Sequence, residues 1–245
     1  MKDKAIIIGA MAFAFGALMF SSYAEKHPET IALSRTDRYE KQSLQVSVEG
    51  VLEGQPIPAK YAYCVSTATE KSSMTGENIS PGIRWSKGPD GTKSYAIVMV
   101  DKDVPTDFKN AGIEGKTLPI NMKRQDFFHW AAIGISADTS AIRTGDGKAD
   151  AIGTQAVNDY AAFMKNKPVK SFLGYDGPCP PWNDALIHRY YFYVFALSKE
   201  FSAADFPNAK DGLIPAKEVP LAITPYILAK GSVMGTYTLN PDFKK

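Results

Sequence analysis

Apolar positions along this chain fall mostly at strand spacing. Leu44, Val46 and Val48 alternate with Ser43, Gln45, Ser47 and Glu49 up to Gly50, the pattern of a half-buried strand. Tyr61 to Val65 reads as a second short extended piece, and Ile83 with Trp85 as a third. Ser94 to Val100 is a continuous apolar run, which predicts a central strand leading into Asp101-Lys102-Asp103-Val104-Pro105. If that strand continues through Asp103, alternation puts both carboxylates on one face. Phe127 to Ile135 predicts another strand, with His129, Ala131 and Ile133 sharing a face. His188 to Leu197 is aromatic and β-branched throughout, too apolar for one face to lie in water. On it His188, Tyr190, Phe192, Val194 and Ala196 share a side. Val233, Gly235, Tyr237 and Leu239 alternate as a last strand.

Helical signals are few. Ala156 to Lys167 holds a turn or two, and Ser202 to Asp205 predicts a short helix. Pro220 to Lys230 predicts a longer one, with Leu221, Ile223, Ile227 and Leu228 roughly on one face and Gly231 at its end. About seven strands against two or three short helices, with no repeat or internal linker, predict a mainly β (α+β) chain. Its architecture is then a single antiparallel β-sandwich domain over residues 43–245, with a few short peripheral helices.

The amino terminus stands apart. Lys2 and Lys4 precede an apolar run from Ala5 to Phe20, followed by Ser22 and Ala24 at the −3 and −1 positions of a cleavage point. This is the pattern of a signal peptide over residues 1–24, cut after Ala24, and it predicts a periplasmic or secreted protein. A transmembrane anchor is the alternative, for which the run is short. Residues 25–42 read as a loose polar arm. The full chain has a net charge of +2 and no Lys/Arg block, which argues against a nucleic-acid partner. An exported chain with two cysteines, Cys64 and Cys179, predicts one disulfide; two buried thiols are the alternative.

Three histidines are present. His27 lies in the arm; His129 and His188 each sit at the start of an apolar strand, while Asp101 and Asp103 sit at the end of one. Gly177-Pro178-Cys179-Pro180-Pro181 is a stiff turn, short of backbone donors, that delivers His188 and Tyr190 to a strand. Strand ends that converge on one rim would assemble two imidazoles, two carboxylates and the Tyr190 hydroxyl. Three readings follow: the rim binds a small anion through imidazole and hydroxyl donors; Asp101, Asp103, His129 and His188 bind a metal that activates water; or the rim is structural. Common nucleophile, zinc-protease and phosphate-loop motifs are absent from the sequence, which weakens an enzymatic reading.

Six short motifs occur in a familiar order. They are Asn78-Ile79-Ser80-Pro81 with Trp85; Gly91-Thr92-Lys93-Ser94-Tyr95; Asp101-x-Asp103-x-Pro105; His129-Trp130; Gly174-Tyr175-x-Gly177-Pro178-Cys179-Pro180-Pro181; and His188-Arg189-Tyr190 leading into a strand. Together they resemble the phosphatidylethanolamine-binding protein (PEBP) family, the Raf-kinase-inhibitor-like proteins, and in particular their exported bacterial branch. The resemblance implies a β-sandwich with a pocket at one end of the sheets that takes phosphate-like anions or phospholipid head groups, without catalysis and without a cofactor or metal. The residues it carries over are Asp101, Asp103, Pro105, His129, Cys179, Pro180, Pro181, His188 and Tyr190. It implies that the two histidines donate to the anion, so that affinity rises as pH falls toward about 6.5. Family members also act as inhibitors of kinases or proteases, so a protein partner is the second expectation. Lys102 and Val104 depart from the usual Asp-Pro-Asp-Ala-Pro, and Thr106 to Gln125 is long enough to form a lid or a partner surface.

Overall fold

A computed structural model describes residues 43–69, 71–148 and 152–243. The expected signal peptide and the whole of the arm lie outside the described residues. Among these described residues eight strands form two antiparallel sheets. Strands β1 (Val46–Val48), β2 (Ile83–Trp85) and β5 (Ala141–Ile142) form a small sheet in the order β1-β2-β5. Strands β3 (Ser94–Pro105), β4 (Arg124–Ser136), β6 (Thr154–Gln155), β7 (His188–Leu197) and β8 (Ile227–Tyr237) form the large one, in the order β6-β4-β3-β7-β8. Among the described residues two short helices, α1 (Tyr160–Phe163) and α2 (Val219–Ile223), and several 3-10 turns lie at the periphery.

The alternation read along β7 maps onto two cores. Tyr190, Phe192, Val194 and Ala196 join Trp85, Tyr95, Ile97, Met99 and Trp130 between the sheets. Tyr193, Phe195 and Leu197 face the other way, against Phe201, Phe206, Ile214, Val219 and Ile223. The 201–223 segment therefore covers the outer face of the large sheet, which is why β3 and β7 are apolar on both sides.

Two expectations fail. Pro220 to Lys230 is not one helix: α2 ends at Ile223, a 3-10 turn spans Thr224–Tyr226, and β8 begins at Ile227. Pro225 contributes no backbone donor, and pairing with β7 from Leu197↔Ile227 to His188↔Tyr237 prevails over the local helical pattern. Gly231 is a close-approach site inside β8, where a Cβ would overlap the Leu44 carbonyl. Tyr61 to Val65 is likewise not a strand. Tyr61 closes a 3-10 turn, and its carbonyl accepts the Tyr175 hydroxyl at 2.6 Å.

The predicted Cys64–Cys179 disulfide is formed, with Cα atoms 4.6 Å apart and 115 positions between them in sequence. It ties the loop after Tyr61 to the proline turn ahead of β7, and the Pro178 carbonyl accepts the Tyr63 and Cys64 amides beside it.

Candidate functional site

The end of β3, the start of β4 and the start of β7 meet at one end of the large sheet. Two β-bulges shape this meeting. Along β4, Trp130 and Phe128 oppose the consecutive residues Met99 and Val100, so His129 is an extra residue. Along β3, three steps from Asp101 to Val104 oppose two from Phe127 to Gln125. A bulge re-aims side chains, and it breaks the strict alternation assumed from sequence. His129 does not share a face with Ala131 and Ile133; those two enter the outer core, while His129 joins Phe127 on the wall of a cavity.

That cavity measures about 390 Å³. Asp101, His129 and the Tyr160 hydroxyl, which donates to the Gly177 carbonyl, are its titratable wall groups, and Cys179, Pro180 and Pro181 form another wall, as the motifs implied. The other expected residues stand elsewhere. Val104 lines the cavity, whereas Pro105 is buried at the strand end opposite Arg124. Asp103 does not line it either: its carboxylate accepts the Arg189 main-chain amide and two guanidinium bonds at 2.7 and 2.8 Å. His188 is fully buried behind Asp101, and both ring nitrogens are used. Nδ1 donates to Asp101 Oδ2 at 2.7 Å and Nε2 to Asp184 Oδ2 at 3.1 Å. It is therefore not placed to donate to a ligand. Tyr190 packs edge-on against His129, with its hydroxyl buried near the Asp101 carboxylate, and it is not part of the cavity lining.

These contacts form a buried ionic chain. Asp101 bonds His188, His188 bonds Asp184, and Asp184 takes a bidentate grip from Arg124 at 2.6 and 3.0 Å. Burial alone would lower the His188 pKa, but the two flanking carboxylates overcome it and raise the imidazole to about 9. Burial would raise Asp101, yet the His188 imidazolium outweighs it and holds the carboxyl below its ordinary value. Asp184 is held low in the same way by His188 and Arg124. Two anions and two cations cancel, so Asp101 meets the cavity already compensated.

His129 is the opposite case. Its Nδ1–H donates to the Asp176 carbonyl at 2.8 Å, which fixes the tautomer. Nε2 has no protein partner among the described residues. Burial is the largest influence on this ring and holds its pKa below 6.5, against the pull of Asp101. At neutral pH the cavity thus receives an uncharged imidazole with a free acceptor nitrogen. The Asp176 carboxylate behind it is held by Asn78, Lys148 and Asn158 at 2.7–2.8 Å. Asp103, Asp101 and His188 are committed to one another and to Arg189 and Asp184, so the four-residue metal set suggested by the sequence does not assemble. Among the described residues no cluster of His, Cys, Asp or Glu is arranged for a metal ion.

Sequence reasoning missed Asp184, Asp176 and Asn183. All three lie inside or beside quoted motifs, but nothing in the spacing singled them out. Asn183 holds the long segment after β3 in place: its amide donates to the Asn110, Ile113 and Lys116 carbonyls and accepts the Gly112 amide. Phe108, Ala111 and Gly112 of that segment line the cavity. The segment expected to form a lid or a partner surface thus contributes part of the cavity wall.

Comparison with known proteins bears on the fold and the family. The chain is 32% identical over 196 residues to a UPF0098 protein of Aquifex aeolicus, covering 79% of this chain and 88% of that one. A crystal structure of a phosphatidylethanolamine-binding protein homologue from Chlamydia trachomatis matches at 26% identity and a TM-score of 0.54, covering 80% of this chain and 97% of the other. The fold of Escherichia coli YbcL, described as a member of the mammalian PEBP family, matches with a TM-score of 0.58 at 23% identity, covering 80% and 99%. The family model for phosphatidylethanolamine-binding proteins matches residues 47–238, and the chain belongs to that family.

Proposed function

We propose that the cavity binds the phosphate of a small phosphomonoester or phospholipid head group, and that the protein binds without catalysing a reaction. The observation that carries this reading is His129. Its Nδ1–H is committed to the main chain, its Nε2 opens on the cavity without a protein partner, and the neighbouring Asp101 charge is already cancelled by His188. A phosphate oxygen near Nε2 favours the protonated ring, which then donates a charge-assisted hydrogen bond. Binding therefore takes up a proton, and affinity rises as pH falls through the range where His129 titrates.

A binding role rather than an enzymatic one is supported by the commitment of the four carboxylates tied into the ionic contacts around His129 and His188. Asp101, Asp103, Asp176 and Asp184 each hold a cation, so none is left as a free base. The same reading puts the mature chain in the periplasm or outside the cell. The leader-like amino terminus and the Cys64–Cys179 bridge support that, since disulfides persist in oxidising compartments.

The test is calorimetric titration of the protein with phosphorylethanolamine, with His129→Ala alongside. Binding by the wild type and its loss in the variant is the expected result. Equal binding by both proteins, or none by the wild type, refutes the assignment.

A further inference from the structure

The Asp176 main chain grips His129 twice. Its carbonyl accepts the ring Nδ1–H at 2.8 Å, and its amide donates to the His129 carbonyl at 3.1 Å. The Asp176 carboxylate sits in a buried cradle of donors. Asn78 donates to Oδ1 at 2.7 Å, Lys148 to Oδ1 at 2.7 Å, and Asn158 to Oδ2 at 2.8 Å. Asn78 holds a φ of 54°, a left-handed backbone that asparagine tolerates, and its own Oδ1 accepts the Gly177 amide. The turn that carries Lys148 is fixed as well. The Gly147 amide donates to the Ser80 hydroxyl at 2.7 Å, and the Gly147 carbonyl accepts the Tyr175 amide at 2.9 Å. Titratable groups face His129 from several elements: Asp101 on β3, His188 and Tyr190 on β7, Tyr160 on α1, and Asp176 ahead of the proline turn. Burial keeps both tyrosine hydroxyls neutral. Burial also disfavours the protonated His129 ring; Asp101 and Asp176 favour it, and His188 opposes it. Asp101 is compensated inside the core by His188. Asp176 is 3% exposed, and the cation it bonds, Lys148, is 46% exposed.

We propose that Asp176 and Lys148 are positioning residues that act on the ligand through His129: the Asp176 carbonyl holds the ring, its carboxylate favours the proton the ring takes up, and Lys148 cancels part of that charge. Lys148 thereby sets the pH at which the cavity captures a phosphate. This rests on the head-group reading above and adds its regulation. The pair reaches the surface at Lys148, so a change there alters the cavity without touching its wall.

The experiment follows His129 in two ways, by ring NMR against pH in the ligand-free protein and by calorimetry with phosphorylethanolamine. It compares the wild type with Lys148→Met, Lys148→Arg and Asp176→Asn. Lys148→Met leaves the Asp176 charge uncompensated, so the ring should keep its proton to a pH about half a unit higher. Phosphorylethanolamine should then bind about threefold more tightly at neutral pH, the difference narrowing as pH falls through the range where His129 titrates. Lys148→Arg keeps the charge and should match the wild type. Asp176→Asn removes the carboxylate and should move the ring in the opposite direction; if that variant does not fold, the two Lys148 variants decide. A His129 titration unmoved in Lys148→Met, or moved equally in Lys148→Arg, overturns the proposal, because a purely structural contact changes the urea midpoint and not the ring. Binding by the wild type with no shift in the variants overturns the proposal alone. A shift in the variants with no binding by the wild type overturns the head-group reading.

Discussion

The His188 imidazolium makes stability depend on pH in a window where little else titrates. The ring is fully buried between Asp101 and Asp184, with its pKa raised from 6.5 to about 9. A group whose pKa is higher in the folded state contributes stability that is complete below its unfolded pKa and is lost as pH rises through the folded one. The gap is about two and a half pH units at about 1.4 kcal/mol each, so the chain should lose about 3 kcal/mol of folding free energy between pH 6.5 and roughly 9.5. Other shifted groups act outside this window. Burial raises the Asp159 carboxyl to about 6, His129 is already neutral, and the buried Tyr160, Tyr175 and Tyr190 hydroxyls are pushed well above 10. Urea denaturation at half-unit pH steps measures the effect, with His188→Gln as the comparison. The variant should start lower and stay flat across the window. A wild-type profile that is flat, or a variant that falls as steeply as the wild type, would refute the claim that the buried ring is charged.

Two further outcomes follow from the same contacts. Reduction of Cys64–Cys179, or replacement of both by Ala, releases a loop spanning 115 positions and should cost up to about 4–5 kcal/mol, read as a lower denaturation midpoint; an unchanged midpoint contradicts a structural role. Arg124→Met leaves the buried Asp184 carboxylate with only His188 and the Leu186 amide and removes bonds to the Asp103 and Pro119 carbonyls, so about 3–5 kcal/mol should be lost. Limited proteolysis of that variant should cut first within residues 106–123, and cutting elsewhere first would show that Arg124 does not anchor the segment.

The fold was legible because its strands carry their own signal. His188 to Leu197 is apolar on both faces, and the structure supplies a core for each. Tyr190, Phe192, Val194 and Ala196 fell on the one face where alternation put them. The site was legible only to the level of motifs. The resemblance named Asp101, His129 and the Cys179-Pro180-Pro181 turn, and all five line the cavity. It could not separate His129 from His188, because two bulges and one buried Asp184 decide which imidazole faces outward. A bulge adds a residue without changing composition, so no periodicity reveals it. Nor does Asp184 differ, as a letter in a loop, from any solvated aspartate. Pro220 to Lys230 failed for a related reason: its helical spacing was real, but the ladder offered by β7 lies far away in sequence.

The most direct test of the account is histidine-ring NMR of the protein during titration with phosphorylethanolamine at neutral pH. His188 should be protonated before ligand is added and should not change. His129 should begin as the neutral Nδ1–H tautomer and take up a proton at Nε2 as the cavity fills, with its apparent pKa rising. A His129 ring that stays neutral at saturation, or a His188 ring whose resonances respond instead, would contradict the assignment of the phosphate to His129.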